Sequence, residues 1–350
     1  MRRAEHTSVR LFHTYSPFAV WVCVFCVGWF AMIQTQNLWE ELRAHWPIAL
    51  SMLFGSYVAG STPMGGGTIG FPILVLLFDQ PASLGRVFSF CVQSVGMTSA
   101  SIFILCRRIP IAHRVLLWSV VTGYVVVPLT LHFIAPHVNG EVVKLVFASI
   151  WGSFGILSLV KLREFAGSRV KPKRSNQVDV IAGTIIGAVG GVAAGLTGVG
   201  IDMILYCVLM LAYRSDARTA IATSVILMAM TSWCGVVWSA VLGHITQEVY
   251  YNWIAAAPVV LFGAPLGAAV VAYVPRKATM FVVSLLCIGQ LIWTLYDVGV
   301  SVQNVAGVLV ALLLINATFH VMHVWGKRRA AACPEPNDGG RGAPQPSAAE

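Results

Sequence analysis

The residues best placed to do chemistry in this chain are glycines and hydroxyls gathered in two short stretches. The first reads GSYVAGSTPMGGGTIGFP over 55–72, and the second reads GAVGGVAAGLTGVGID over 187–202. Each interrupts an apolar run. Pro63 and Pro72 remove backbone donors and stop regular helix. Gly65, Gly66 and Gly67 are adjacent, so they cannot share one helix face as packing glycines do. A helix broken in this way has new ends. Half-helices restarting near Gly67–Thr68 and near Gly200–Ile201 aim N–H groups with partial positive charge at the membrane midplane, where two broken helices would form a site for alternating access. Glycine, at Gly198 as well, lets an anion come close to the backbone. Ser61, Thr62, Thr68 and Thr197 add hydroxyls. Such a set suits recognition of a sulfonate or carboxylate by dipoles.

Charged residues within apolar runs are functional candidates. Asp202 falls in the first turn after the second break, where it either caps the half-helix or couples a proton or cation to a transported species. Arg86 begins a later run; it either receives an anion or snorkels to the interface. Lys144 reads as a snorkelling interfacial residue. Ser89 and Ser224 occupy matched positions after the two breaks, with Gln93, Ser94, Thr223 and Thr231 nearby. Their hydroxyls either line a cavity or satisfy carbonyls of their own helices. Gly183, Gly187, Gly191, Gly195, Gly263 and Gly267 have the small-residue spacing of close helix packing. His132, His137, His244, His320 and His323 lie near run ends and read as interfacial. Cys23 and Cys26 form a CxxC inside an apolar run, without the second cysteine pair or nearby histidine of a metal site; no metal or cofactor is expected.

These residues must be held by membrane helices. Of 350 residues, 57% are hydrophobic and 11% charged, too few charges to clothe a soluble surface. The net charge of +9 sits in short gaps between apolar runs, without aromatic interleaving. That argues against nucleic acid and for cytoplasmic loops beside anionic headgroups. Arg2, Arg3 and Arg10 precede an uncharged run over 11–39 that lacks a small-residue cleavage site, so it reads as a retained first span. Further runs follow at 44–78, 87–106, 115–140, 145–160, 180–201, 203–213, 219–247, 249–275, 278–296 and 298–326. Most suit one helical crossing of about 20 residues.

The chain also repeats. A shift of 135 residues superposes Gly55 on Gly190, Gly60 on Gly195, Thr62 on Thr197, Gly65 on Gly200, Ser89 on Ser224, Trp118 on Trp253 and Ser149 on Ser284. The expected fold is an all-α polytopic membrane protein with two inverted repeats, each a glycine-broken hairpin plus three transmembrane helices, and an extra helix at each end. The expected division is a basic N-terminus and first span (1–43), a first repeat (44–162), a basic cytoplasmic linker (163–178), a second repeat (179–296), a last span (297–326) and a disordered tail (327–350). Basic clusters at 107–114, 161–174, 276–277 and 327–329 mark cytoplasmic segments. The gaps at 34–46, 79–86, 135–144, 243–250 and 297–302 have little positive excess and fall on the other side. Both termini are then cytoplasmic, in a cell inner membrane.

GSTPMGGGTIGFPILV, GLTGVGIDMILYCVLMLAY and ARTAIATSVILMAM resemble the TauE/SafE (TSUP) family of sulfite and organosulfur anion transporters, over about 45–296. The glycine break and the A-x-x-A-x-A-T-S stretch from Ala217 to Ser224 carry most of the likeness. The resemblance implies secondary transport of sulfite, sulfonates or related carboxylates, usually outward, and no enzymatic activity. Where the second half reads AIATS (220–224), the first reads GRVFS (85–89), so Arg86 stands at an apolar position. The alternatives are a passive anion channel, an intramembrane sulfur-handling enzyme and a membrane scaffold. The enzyme lacks a nucleophile with a histidine partner at membrane depth, and the scaffold has no need of two matched breaks. Substrate identity, direction, coupling ion (proton or sodium) and oligomeric state are not legible.

Overall fold

The computed structural model describes residues 2–62, 67–161, 176–270 and 276–332; Gly65, Gly66, most of the basic linker and the tail from 333 onward lie outside them. Among the described residues there is no strand, and nine helices are long and apolar enough to cross a membrane. In chain order the helices are α1 (Arg2–Gln36), α2 (Trp39–Ala44), α3 (Trp46–Ser61), α4 (Gly67–Pro72), α5 (Ala82–Cys106), α6 (His113–Leu129), α7 (Gly140–Val160), α8 (Asn176–Thr197), α9 (Ile201–Cys207), α10 (Ala217–Val241), α11 (Gln247–Val270), α12 (Arg276–Val298) and α13 (Val302–Ala332). The restarts expected near Gly67 and Gly200 are the starts of α4 and α9.

The repeat persists in hydrogen-bonding detail. Wide helical turns continue α4 over Ile73–Leu77 and α9 over Val208–Ala212, 135 residues apart. Phe78 N–H donates to Ile73 O at 3.0 Å, and Tyr213 N–H to Val208 O at 3.1 Å. The hydroxyls of Ser149 and Ser284 donate to the carbonyls of Leu145 and Met280, each at 2.7 Å. Packing partners exchange in the same way: α3 lies on α11 and α8 on α6, while α5 pairs with its counterpart α10 and α7 with α12.

Helix contacts in lipid gain little from apolar burial, because the surrounding tails are apolar too, so close backbone approach matters more. Gly183, Gly187, Gly191 and Gly195 form one stripe on α8, facing Val115 to Thr130 of α6 and its continuation. A β-carbon at Gly187 would sit 2.6 Å from Thr122 Cβ and 2.7 Å from Ser119 O. Gly263 and Gly267 of α11 do the same against Ser56, Tyr57 and Ser61 of α3. These glycines therefore pack, as their spacing suggested. α5 is the most enclosed span, with 83% of its apolar window buried against 6% for α1 and 11% for α13. The outer helices present Val24, Leu309, Leu313 and Val321 to the surroundings.

Contacts join several of the loops. Tyr250 Oη donates to Gln36 Oε1 at 2.9 Å, and His45 Nε2 lies 3.7 Å from Glu248 Oε1. Lys144 Nζ meets Asp297 Oδ2 at 2.8 Å. Segments 79–87, 135–144 and 243–246 line one cavity. All five segments poor in basic excess are thereby joined on one face. Lys144, read from sequence as a snorkelling interfacial residue, is ion-paired to Asp297 because α7 and α12 lie side by side there.

Candidate functional site

α5 positions the site. Gly85 has no room for a side chain: a β-carbon would lie 2.4 Å from Val75 Cγ2 and 3.1 Å from the Phe71 ring of the first hairpin. That contact seats α5 tightly and places Arg86 one turn into the helix. The other side of this turn meets the second break. Gly198 has φ +82, and a β-carbon there would fall 2.5 Å from Arg86 O and 2.9 Å from Ser89 Cβ. One further turn along, the Gln93 side-chain amide donates to Ser89 O at 2.8 Å and to Gly198 O at 3.0 Å. Gln93 thus ties the break of one repeat to the first long span of the other.

Arg86 is only 6% exposed. Its Nε has no hydrogen-bond partner, and among the described residues no carboxylate stands within ion-pair distance of it. It lines a cavity of about 860 Å³ with Asp79, Gln80, Ser83, Asn139, Glu141, Lys144, His244 and Thr246. Lys144 is neutralised by Asp297. His244 is half-buried, and its Nδ1 is enclosed without a partner. Burial, and then the charge of Arg86, hold the His244 imidazole below the ordinary histidine range.

The hydroxyls are largely occupied by their own helices. Ser61 and Thr62 donate to Val58 O at 3.2 and 2.7 Å, Ser89 to Gly85 O at 2.7 Å and Ser224 to Ile221 O at 2.9 Å. Thr197 Oγ1 lies 2.9 Å from Ala193 O and 3.0 Å from Val199 O. The expectation that they supply spare donors fails here, because at each position a carbonyl one turn back is left within reach. Thr68 is the exception: it is buried, and Oγ1 has no partner. It lines a separate, apolar cleft of about 380 Å³ with Phe54, Ile69, Gln290 and Trp293.

Asp202, the second residue of α9, is buried, and its Oδ1 accepts the N–H of Met203 at 2.9 Å. Gly200 precedes α9 with φ +108. Of the residues singled out in the sequence, the structure brings together Arg86, Ser89 and Gly198. Nothing in the described residues places Ser61, Thr62, Thr68 or Ser224 beside them. α8 has 22 residues, about 33 Å at 1.5 Å per residue, before the break, and Gly198 meets α5 four to seven residues from its start at Ala82. His244 was missed as a site residue: on sequence it is one of several boundary histidines, and its neighbour Arg86 lies in the other half.

Paired broken hairpins, each followed by three long helices around a polar cavity, define a polytopic membrane protein of the transporter type. The chain matches the family model described as Sulfite exporter TauE/SafE over residues 19–293, and it belongs to that family, whose members are transporters and not enzymes. Comparison with curated proteins gave no match, nor did comparison with solved structures.

Proposed function

We propose that the chain is a secondary transporter of small sulfur-containing or organic anions: sulfite, a sulfonate or a related carboxylate. One observation carries this reading. Arg86 is a guanidinium buried in the wall of a polar cavity, without a counter-charge among the described residues. Removing one ion from water costs several kcal/mol unless a partner compensates. A small anion supplies that partner, while a larger or neutral solute leaves it unmet.

In this reading the anion rests between Arg86 and the backbone at Gly198, and Ser89 and Gln93 hold the surrounding geometry. The two repeats are inverted, since each makes an odd number of crossings, and the basic face is cytoplasmic by the positive-inside rule. Rocking of one repeat against the other exposes the site to each face in turn, and the net movement is export. The family match and the unpaired arginine support this assignment together.

The test uses purified protein in liposomes loaded with unlabelled sulfite. A carrier accumulates external labelled sulfite transiently by counterflow, and R86Q abolishes that accumulation. Wild-type flux without counterflow means a passive channel. Undiminished counterflow in R86Q removes Arg86 from the substrate path.

A further inference from the structure

Of the fixed positive charges in this cavity, Lys144 is paired with Asp297, and Arg86 has no ion-pair partner among the described residues. The same cavity holds a further group able to become positive. His244 stands in the loop between α10 and α11, where its main-chain N–H is bonded to Ser239 O at 2.8 Å. That bond fixes the backbone and leaves the imidazole to the cavity. Its Nδ1 is enclosed without a partner. The ring shares the cavity wall with Arg86, and the two are close enough that the arginine charge opposes protonation of the histidine.

We infer that His244 is a proton site that loads together with the anion: the imidazole takes up a proton when an anion settles beside Arg86. The proposal rests on the anion reading of that cavity. The physical reason is mutual compensation. In the vacant cavity, burial and Arg86 both disfavour a cationic imidazole. An anion cancels the field of Arg86 and adds an attraction of its own, so the proton becomes favourable on the same ring. By linkage, the proton must strengthen anion binding by the factor by which the anion strengthens proton binding. The proton comes from the aqueous phase, and no other bond changes.

The remaining charged groups of the cavity leave this pairing intact. Lys144 is held by Asp297. Asp79 and Glu141 are exposed at the rim, and their charges act on His244 with or without an anion. Glu248, the second residue of α11, lies against His45. Asp202 accepts a main-chain N–H. The coupled ion in this scheme is a proton, and its site is the loop histidine rather than the acid of the second break.

The experiment is calorimetric titration of the detergent-purified full chain with methanesulfonate, an anion that does not titrate, between about pH 5 and 8. Two buffers of different ionisation enthalpy report the protons taken up. The wild type should take up a fraction approaching one proton per anion, with affinity tightening by up to about tenfold per pH unit on acidification. H244Q should bind with no proton uptake and a flat pH profile; H244N replaces it if H244Q does not fold. Binding by the wild type without proton uptake, or uptake that persists in H244Q, overturns the role of His244 and leaves the Arg86 site standing. Wild-type binding that R86Q does not weaken overturns the anion reading itself, and with it this inference.

Discussion

The carbonyl of Arg86 occupies the space into which a side chain on Gly198 would grow, 2.5 Å from an ideal β-carbon. Residues 112 positions apart thus form one surface. A methyl group at Gly198 must push back main chain rather than a mobile side chain, and it must do so at φ +82. G198A should therefore lose transport, with a fall in thermal stability of about 1–3 kcal/mol. Gly200 is the control. Its φ of +108 is also strained for other residues, but a β-carbon there meets only Ala193 Cβ at 3.6 Å. G200A should be the milder variant in both counterflow and melting temperature. Equal effects would mean that φ alone matters.

Gln93 holds the break to α5 through one amide nitrogen and two carbonyls. Q93L removes both bonds and leaves Gly198 O without this donor in a buried position. The expected loss is about 1–3 kcal/mol of stability, with sulfite affinity weakened because Gly198 is no longer held against Arg86. Q93E, which cannot donate in its ionised form, should behave like Q93L. Normal affinity in both variants would detach the site from this link.

Asp202 accepts a main-chain N–H that an asparagine oxygen can also accept. D202N should cost little stability, while D202A, which loses that hydrogen bond, should cost about 1 kcal/mol. Transport by D202N should keep its pH dependence, since His244 and not Asp202 titrates with the anion. Loss of that dependence in D202N would return the coupling role to Asp202.

Acid should destabilise the anion-free protein through His244. The native imidazole is held below its ordinary value, so across that window the unfolded chain binds more protons than the native one. Stability then rises with pH. It is complete above the ordinary histidine pKa of about 6.5 and declines as pH falls from there toward the native value. Thermal scans should show this decline in wild type and its loss in H244Q. Saturating methanesulfonate should reduce it in wild type, because the bound anion raises the native pKa.

The glycine stripe of α8 offers a structural contrast to these site variants. G187V places a branched side chain where the β-carbon alone would lie 2.7 Å from Ser119 O. The helices cannot separate without opening the α6–α8 contact along its length. The variant should fail to accumulate as folded protein, measured by size-exclusion profile in detergent. G289V, on the other hand, adds a side chain where nothing lies within 4 Å and should fold normally.

Membrane residence, the two breaks, the glycine stripe and the period of 135 were legible in the chain itself, since each depends on composition or spacing along a single helix. Apolar runs of sufficient length have no alternative to helix in lipid, and matched glycines survive any shift test. The positions of the half-helix starts followed from local breaking of the helix. The tertiary structure decided which of the candidates meet. Arg86 and Ser89 reach Gly198 only because α5 of one half packs beside α8 of the other. Whether a serine or threonine donates outward or to its own helix depended on which carbonyl lay within reach. His244 became part of the site through a loop that folds over a distant arginine. A sequence reports charge and period locally; the electric field at one side chain is a sum over neighbours that only the packed chain assembles.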